Sequence, residues 1–190
     1  MVKVMSRKDT NVNSFVNSDE RLRNARMLGR GSFSQVFDTP DPARVFKLTA
    51  DAAHTSYLLD CYSPQGPFKP VVYEDYGVVC TTKTGIDVYL LEMERLHKVR
   101  RGTPNGRLVR QIVHFVRLRP YWDRRLPMVE DDLTWLPAEL ADFMGELNYF
   151  VWNFNWALDI GWQNFMERAD GTLVLSDPVI DYETYQAHVH

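Results

Sequence analysis

The sequence predicts an α+β fold: an antiparallel β-sheet with one helix in the first half, and a smaller, mainly helical part in the second. Two observations carry this. Between Met27 and Leu91, short runs rich in Val, Phe and Tyr alternate with Gly and Pro clusters, the pattern of strands and turns. Beyond Leu108, apolar residues recur at intervals of three and four, the pattern of helices. With 45% hydrophobic and 13% aromatic residues, the chain has enough apolar material to fold, and 190 residues suit one compact domain or two small lobes sharing a cleft.

The elements follow in order. Residues 1–20 are polar, rich in Asn, Ser and charge, and read as a tail. Residues 27–37 read as strand, glycine turn and strand. Residues 38–42 (Asp-Thr-Pro-Asp-Pro) are a turn cluster, and 44–49 alternate as a third strand. Residues 50–62 lack breakers and read as a helix, whereas 63–70, with three prolines, read as a loop. Short strands are expected at 71–73, 77–82 and 86–91, with 92–97 leaving the sheet. A turn at 103–106 precedes a helix over 108–118 and an irregular charged stretch over 121–134. Leu136, Leu140, Phe143, Leu147, Phe150, Phe154 and Leu158 then mark one face of a long helix, with Pro137 in its first turn. A loop, a short strand at 165–168, a turn at 169–171 and a strand at 173–175 follow. The organisation is a polar tail (1–20), a β-rich N-terminal lobe (21–92) and a mainly helical C-terminal lobe (93–190).

Composition excludes some classes. A net charge of −3 gives no electrostatic ground for binding nucleic acid or an anionic membrane. Cys61 and Cys80 have no CxxC spacing and read as reduced cytosolic thiols. The N-terminal residues lack an apolar signal core, and no stretch approaches 18 uninterrupted apolar residues, so neither secretion nor a membrane span is expected.

Three segments carry chemistry. Gly29-x-Gly31-x-Phe33-x-x-Val36 places two glycines between strands, where backbone N–H groups can approach phosphates and an apolar residue can cover an adenine ring. By itself such a segment reads as an ordinary glycine hairpin. Lys47, eleven residues after Val36 and flanked by apolar residues on a strand, can reach phosphate oxygens. Asp159 precedes Asn164 by five positions, and Asp177 follows a β-turn and short strands. In phosphoryl transfer the first Asp orients or deprotonates the attacking hydroxyl, while the Asn and second Asp hold Mg²⁺ against the phosphates.

The segments Asp159-x-x-x-x-Asn164 and Leu175-Ser176-Asp177-Pro178-Val179 resemble the catalytic and metal segments of the early serine/threonine protein kinases of T7-like bacteriophages. Leu28-Gly29-x-Gly31-x-Phe33-Ser34 and Arg44-Val45-x-Lys47 resemble the same family in the same order, over roughly residues 27–181. The resemblance implies a minimal protein-kinase-like fold, ATP, Mg²⁺ and phosphorylation of host proteins in the cytoplasm of an infected bacterium. It makes Asp159 and Lys47 catalytic and Asn164 and Asp177 the metal ligands. Gly29, Gly31, Ser32, Phe33, Val36 and Lys47 become nucleotide contacts, and the Leu90-Leu91-Glu92-Met93-Glu94 segment becomes the hinge, with the backbone of Glu92 and Met93 on the adenine edge. The chain departs from the family at Gly161, where the family has His. Its metal Asp is followed by Pro178 and Val179 rather than the Phe and Gly usual in kinases, and Ala157 stands where eukaryotic kinases often have His. No Glu stands in the first helix to pair Lys47, and Asp51 and Asp60 are the candidates that remain. Thirteen residues after Asp177 are also too few for a full peptide-binding lobe.

The basic run Lys98, Arg100, Arg101, Arg107, Arg110, Arg117, Arg119, Arg124 and Arg125 reads as a solvated face or a dock for an acidic partner, with Tyr121 and Trp122 as anchors. His188 and His190 read as plain tail. Two functions follow. One is an ATP- and Mg-dependent serine/threonine kinase acting on host proteins. The other is a kinase-like binding module that inhibits or redirects a host protein without phosphotransfer.

Overall fold

The computed structural model describes residues 9–118 and 133–181, the side chain of Leu118 excepted. Arg119, Tyr121, Trp122, Arg124, Arg125, His188 and His190 lie outside the described residues. The chain is α+β, with a five-stranded antiparallel sheet and, among the described residues, four α-helices. None of those helices is long and apolar enough to cross a membrane. The chain divides into two compact units, Met1–Thr55 with Val71–Arg95, and Ser56–Pro70 with Leu96–Val189.

The first unit opens with a helix where a polar tail was expected. Helix α1 (Thr10–Ser18) is capped by Asp9, whose Oδ1 accepts from the backbone N–H of Asn11 and Val12 at 3.1 and 3.2 Å. Its Oδ2 accepts from the backbone N–H of Lys83 at 3.0 Å, pinning the helix start to a distant turn. Three apolar residues at helical spacing suffice for docking: Val12 is fully buried, and Phe15 and Val16 pack on the same core.

Strands β1 (Met27–Arg30), β2 (Ser34–Asp38), β3 (Arg44–Thr49), β4 (Val72–Thr81) and β5 (Asp87–Glu94) form the sheet in the order β1-β2-β3-β5-β4. Alternation divides its faces. Phe37, Phe46, Leu48, Val88 and Leu90 join Val12 and Leu22 in the core under α1. Lys47 faces the other way, in a row with its cross-strand partners Val36 and Leu91, while Val45 is paired with Met93. The two strands expected at 71–73 and 77–82 are one: β4 runs through, with its register shifted between Asp75 and Val78. Gly77 makes that bulge at φ +69°, and its N–H is held by the Asp75 carboxylate at 2.8 Å. Helix α2 (Ala52–Leu59) follows β3, its first turn capped by Asp51, which accepts from the His54 N–H at 3.1 Å.

The second unit begins its long segment with β6 (His97–Lys98) and α3 (Pro104–Leu118). The turn expected at 103–106 is the start of that helix. Pro104 sits where its missing N–H is harmless, and Thr103 Oγ1 accepts from the Gly106 N–H at 3.1 Å. Gly106 is needed by space: a Cβ there would lie 2.1 Å from the Arg100 carbonyl oxygen. Helix α4 (Ala138–Asn153) buries Leu140, Phe143, Met144, Leu147 and Phe150.

It ends five residues before the expected Leu158. Asn155 adopts φ +56°, and the chain turns into β7 (Trp156–Leu158), which pairs with β10 (Val179–Asp181). The apolar period past Phe150 is thereby redirected. Phe154 remains 40% exposed and stacks on Trp156, with ring centroids 4.9 Å apart. β8 (Phe165–Glu167) and β9 (Leu173–Leu175) make a hairpin beside β6.

Candidate active site

Within the second unit, Asp159, Asn164 and Asp177 are brought together by backbone chemistry. Asp159 follows β7 directly, and a 3₁₀ turn at Trp162–Asn164 closes the loop before β8. The Asp159 N–H donates to the Pro178 carbonyl at 2.8 Å. The Ser176 N–H and hydroxyl both donate to the Asn164 carbonyl, at 2.8 and 3.2 Å. Residues 159 and 164 are thus each tied to a residue flanking Asp177. Pairing of β7 with β10 and of β8 with β9 keeps both strands of the arrangement in register.

The side chains complete it. Asn164, 7% exposed, donates from Nδ2 to the Asp159 carbonyl at 2.6 Å and to the Asp159 carboxylate at 2.9 Å. With both amide protons spent there, its Oδ1 is left as an acceptor. An amide oxygen and the half-buried Asp177 carboxylate are hard oxygen donors of the kind Mg²⁺ takes, with phosphate and water oxygens completing such a shell. Two side chains of this chemistry fit the metal that the sequence implied. Among the described residues, no three His, Cys, Asp or Glu side chains gather as a larger metal cluster.

Tyr57, fully buried, backs this segment: its hydroxyl donates to the Leu175 carbonyl at 3.0 Å. Burial pushes its phenol well above the usual tyrosine range, and the negative charge of Asp177 adds to the shift. Sequence reading missed both Tyr57 and Ser176. A tyrosine in an apolar helix and a serine in a turn carry no signal of the carbonyls they bond.

In the first unit, Lys47 is 8% exposed, and its Nζ donates to His54 Nε2 at 2.6 Å. Helix α2 thus brings an imidazole beside Lys47, and Asp51 caps that helix. The glycine hairpin exposes Gly31 and Ser32. Gly31 donates its N–H to Ser34 at 2.8 Å, closing the turn, and neither Gly29 nor Gly31 has positive φ. Val36 lies on the Lys47 face, while Phe33 packs against the core.

Glu92 and Met93 do not end the strand as expected. β5 runs on to Glu94 and is flanked by β3 and β4, so both residues have neighbours on each side. The Glu92 carboxylate accepts from Arg44 at 3.0 Å and from the Tyr76 hydroxyl at 3.1 Å. The chain passes from the first unit to the second between Arg95 and Leu96.

No protein-family model matches the chain, and no curated protein matches it in sequence.

Proposed function

We propose that the chain is an ATP- and Mg-dependent serine/threonine protein kinase that acts on host proteins during bacteriophage infection. The observation that carries this is the hydrogen-bonded pair of Asp159 and Asn164, tied through Pro178 and Ser176 to the residues flanking Asp177, in which Asn164 is oriented by Asp159 with its oxygen left over. In this reading the kinase-like fold takes ATP with the glycine hairpin and the Lys47 face. Lys47 counters phosphate charge. Asp159 accepts or orients the proton of the attacking hydroxyl. Asn164 Oδ1 and the Asp177 carboxylate would hold Mg²⁺, which supplies positive charge against the triphosphate.

The test has two arms. Millimolar Mg-ATP raises the melting temperature of the wild type, because a ligand that binds only the folded state stabilises it, and Asp177→Ala removes most of that shift. Asp159→Asn keeps the shift and lowers phosphotransfer by about 10²–10⁴-fold. Unchanged melting of the wild type in Mg-ATP overturns the reading.

Two departures favour the second reading, a kinase-like module that redirects a host protein without phosphotransfer: Gly161 and Ala157 stand where kinases of the resembled families carry His. On that reading Asp159→Asn leaves the effect on the host intact.

A further inference from the structure

The second unit carries a basic cavity beside the Asp159–Asn164 loop. Helix α3 turns Arg110, Val113, His114 and Arg117 to one side, at spacings of three and four, and Arg101 and Trp162 complete a lining of about 410 Å³. Trp162 belongs to the 3₁₀ turn inside the loop itself, and the Arg101 guanidinium lies over its indole, 5.7 Å from the ring centroid.

Four arginines of the first unit are held in ion pairs. Arg21 meets Asp19, Arg26 and Arg95 meet Asp38, and Arg44 meets Asp41 and Glu92. Around this cavity, among the described residues, Arg101, Arg110 and Arg117 have no carboxylate partner, and all three are exposed. Like charges gathered on one concave surface repel one another, and an anion relieves that repulsion. Guanidinium is also the group best shaped for two-pronged hydrogen bonds to a carboxylate.

We propose that this cavity docks an acidic segment of the substrate polypeptide, with Asp or Glu carboxylates taken by Arg110, Arg117 and Arg101. The inference deepens the kinase reading and rests on it in one respect: Trp162 joins the docking site to the loop bearing Asp159, so the favoured hydroxyl belongs to a Ser or Thr near Asp or Glu. The occupant is a peptide rather than a nucleic acid because the lining is one small cavity rather than a stripe along a phosphate backbone, in a chain of net charge −3.

The experiment is fluorescence anisotropy of a labelled, Asp/Glu-rich peptide with one serine, titrated with the full chain. The wild type binds it, binds a lysine-substituted counterpart far more weakly, and loses affinity as ionic strength rises from about 0.01 to about 0.15 M. Arg110→Ala with Arg117→Ala weakens binding by about tenfold or more, and lysine at both positions restores part of it. Peptide binding is read without Mg-ATP, and the Mg-ATP melting shift is measured separately on the same wild type, so loss of the kinase reading and loss of this inference give different results. Affinity of the double alanine variant within about twofold of wild type overturns the proposal, as does tighter binding of a single-stranded oligonucleotide of equal charge that displaces the peptide.

Discussion

Replacing Asn164 by alanine removes one amide and two hydrogen bonds, to the Asp159 carbonyl at 2.6 Å and to its carboxylate at 2.9 Å. A net hydrogen bond stabilises by about 0.5–1.5 kcal/mol, and one to a charged group by about 1.5–3 kcal/mol. The sum is reduced because the Asp159 carbonyl keeps the Gly161 N–H at 3.1 Å and the half-buried carboxylate can recover water. The expected loss is therefore about 2–3 kcal/mol, or roughly 4–12 °C in melting temperature for a chain of this size.

Asn164→Asp separates this hydrogen bonding from mere volume. It puts a carboxylate where Nδ2 lies, 2.9 Å from that of Asp159. Two carboxylates so close hold a proton to higher pH in the folded state than in the unfolded chain. The folded value being the higher one, stability is retained below the unfolded carboxylate range and lost as pH rises through and beyond it. Urea unfolding followed by tryptophan fluorescence should therefore show a small deficit for Asn164→Asp near pH 4 and a larger one near pH 7.5. An equal deficit at both pH values, or an Asn164→Ala variant within about 0.5 kcal/mol of wild type, would refute the reasoning.

Three further outcomes follow from packing and capping. Leu147→Ala, at a fully buried position of α4, should lower unfolding free energy by about 2–5 kcal/mol. Tyr57→Phe strips the donor from the Leu175 carbonyl and should lower stability by about 1–2 kcal/mol at neutral pH. Because burial and Asp177 raise the folded phenol above its unfolded value, the tyrosine stabilises below the unfolded value and progressively less above it, so Tyr57→Phe should flatten the alkaline limb of a stability–pH profile. Asp9→Ala should destabilise by about 1–2 kcal/mol and speed amide exchange in α1 and at Lys83, since one carboxylate serves both.

The sequence by itself determined the local features. Glycine and proline punctuation located β1, β2 and β3 to within a residue or two, because a turn's backbone demand is met by the residues in it. Periods of three and four located α3 and the body of α4. The spacing of Asp159, Asn164 and Asp177 marked a candidate site, because the loop joining the first two is short and the third follows one hairpin. Only tertiary structure decided the rest. Helix α1 exists because a core receives Val12, and its own composition is too polar to announce that. α4 stops at Asn153 because β10 claims residues 156–158 as a partner strand, although their apolar period continues the helix. His54 became the neighbour of Lys47, and Arg110 and Arg117 became neighbours of Trp162, through contacts between separate elements. The physical reason is common to all of these. Periodicity states which face of an element is apolar, but what covers that face, and which distant carbonyl or side chain satisfies each polar group, is settled only when the elements meet.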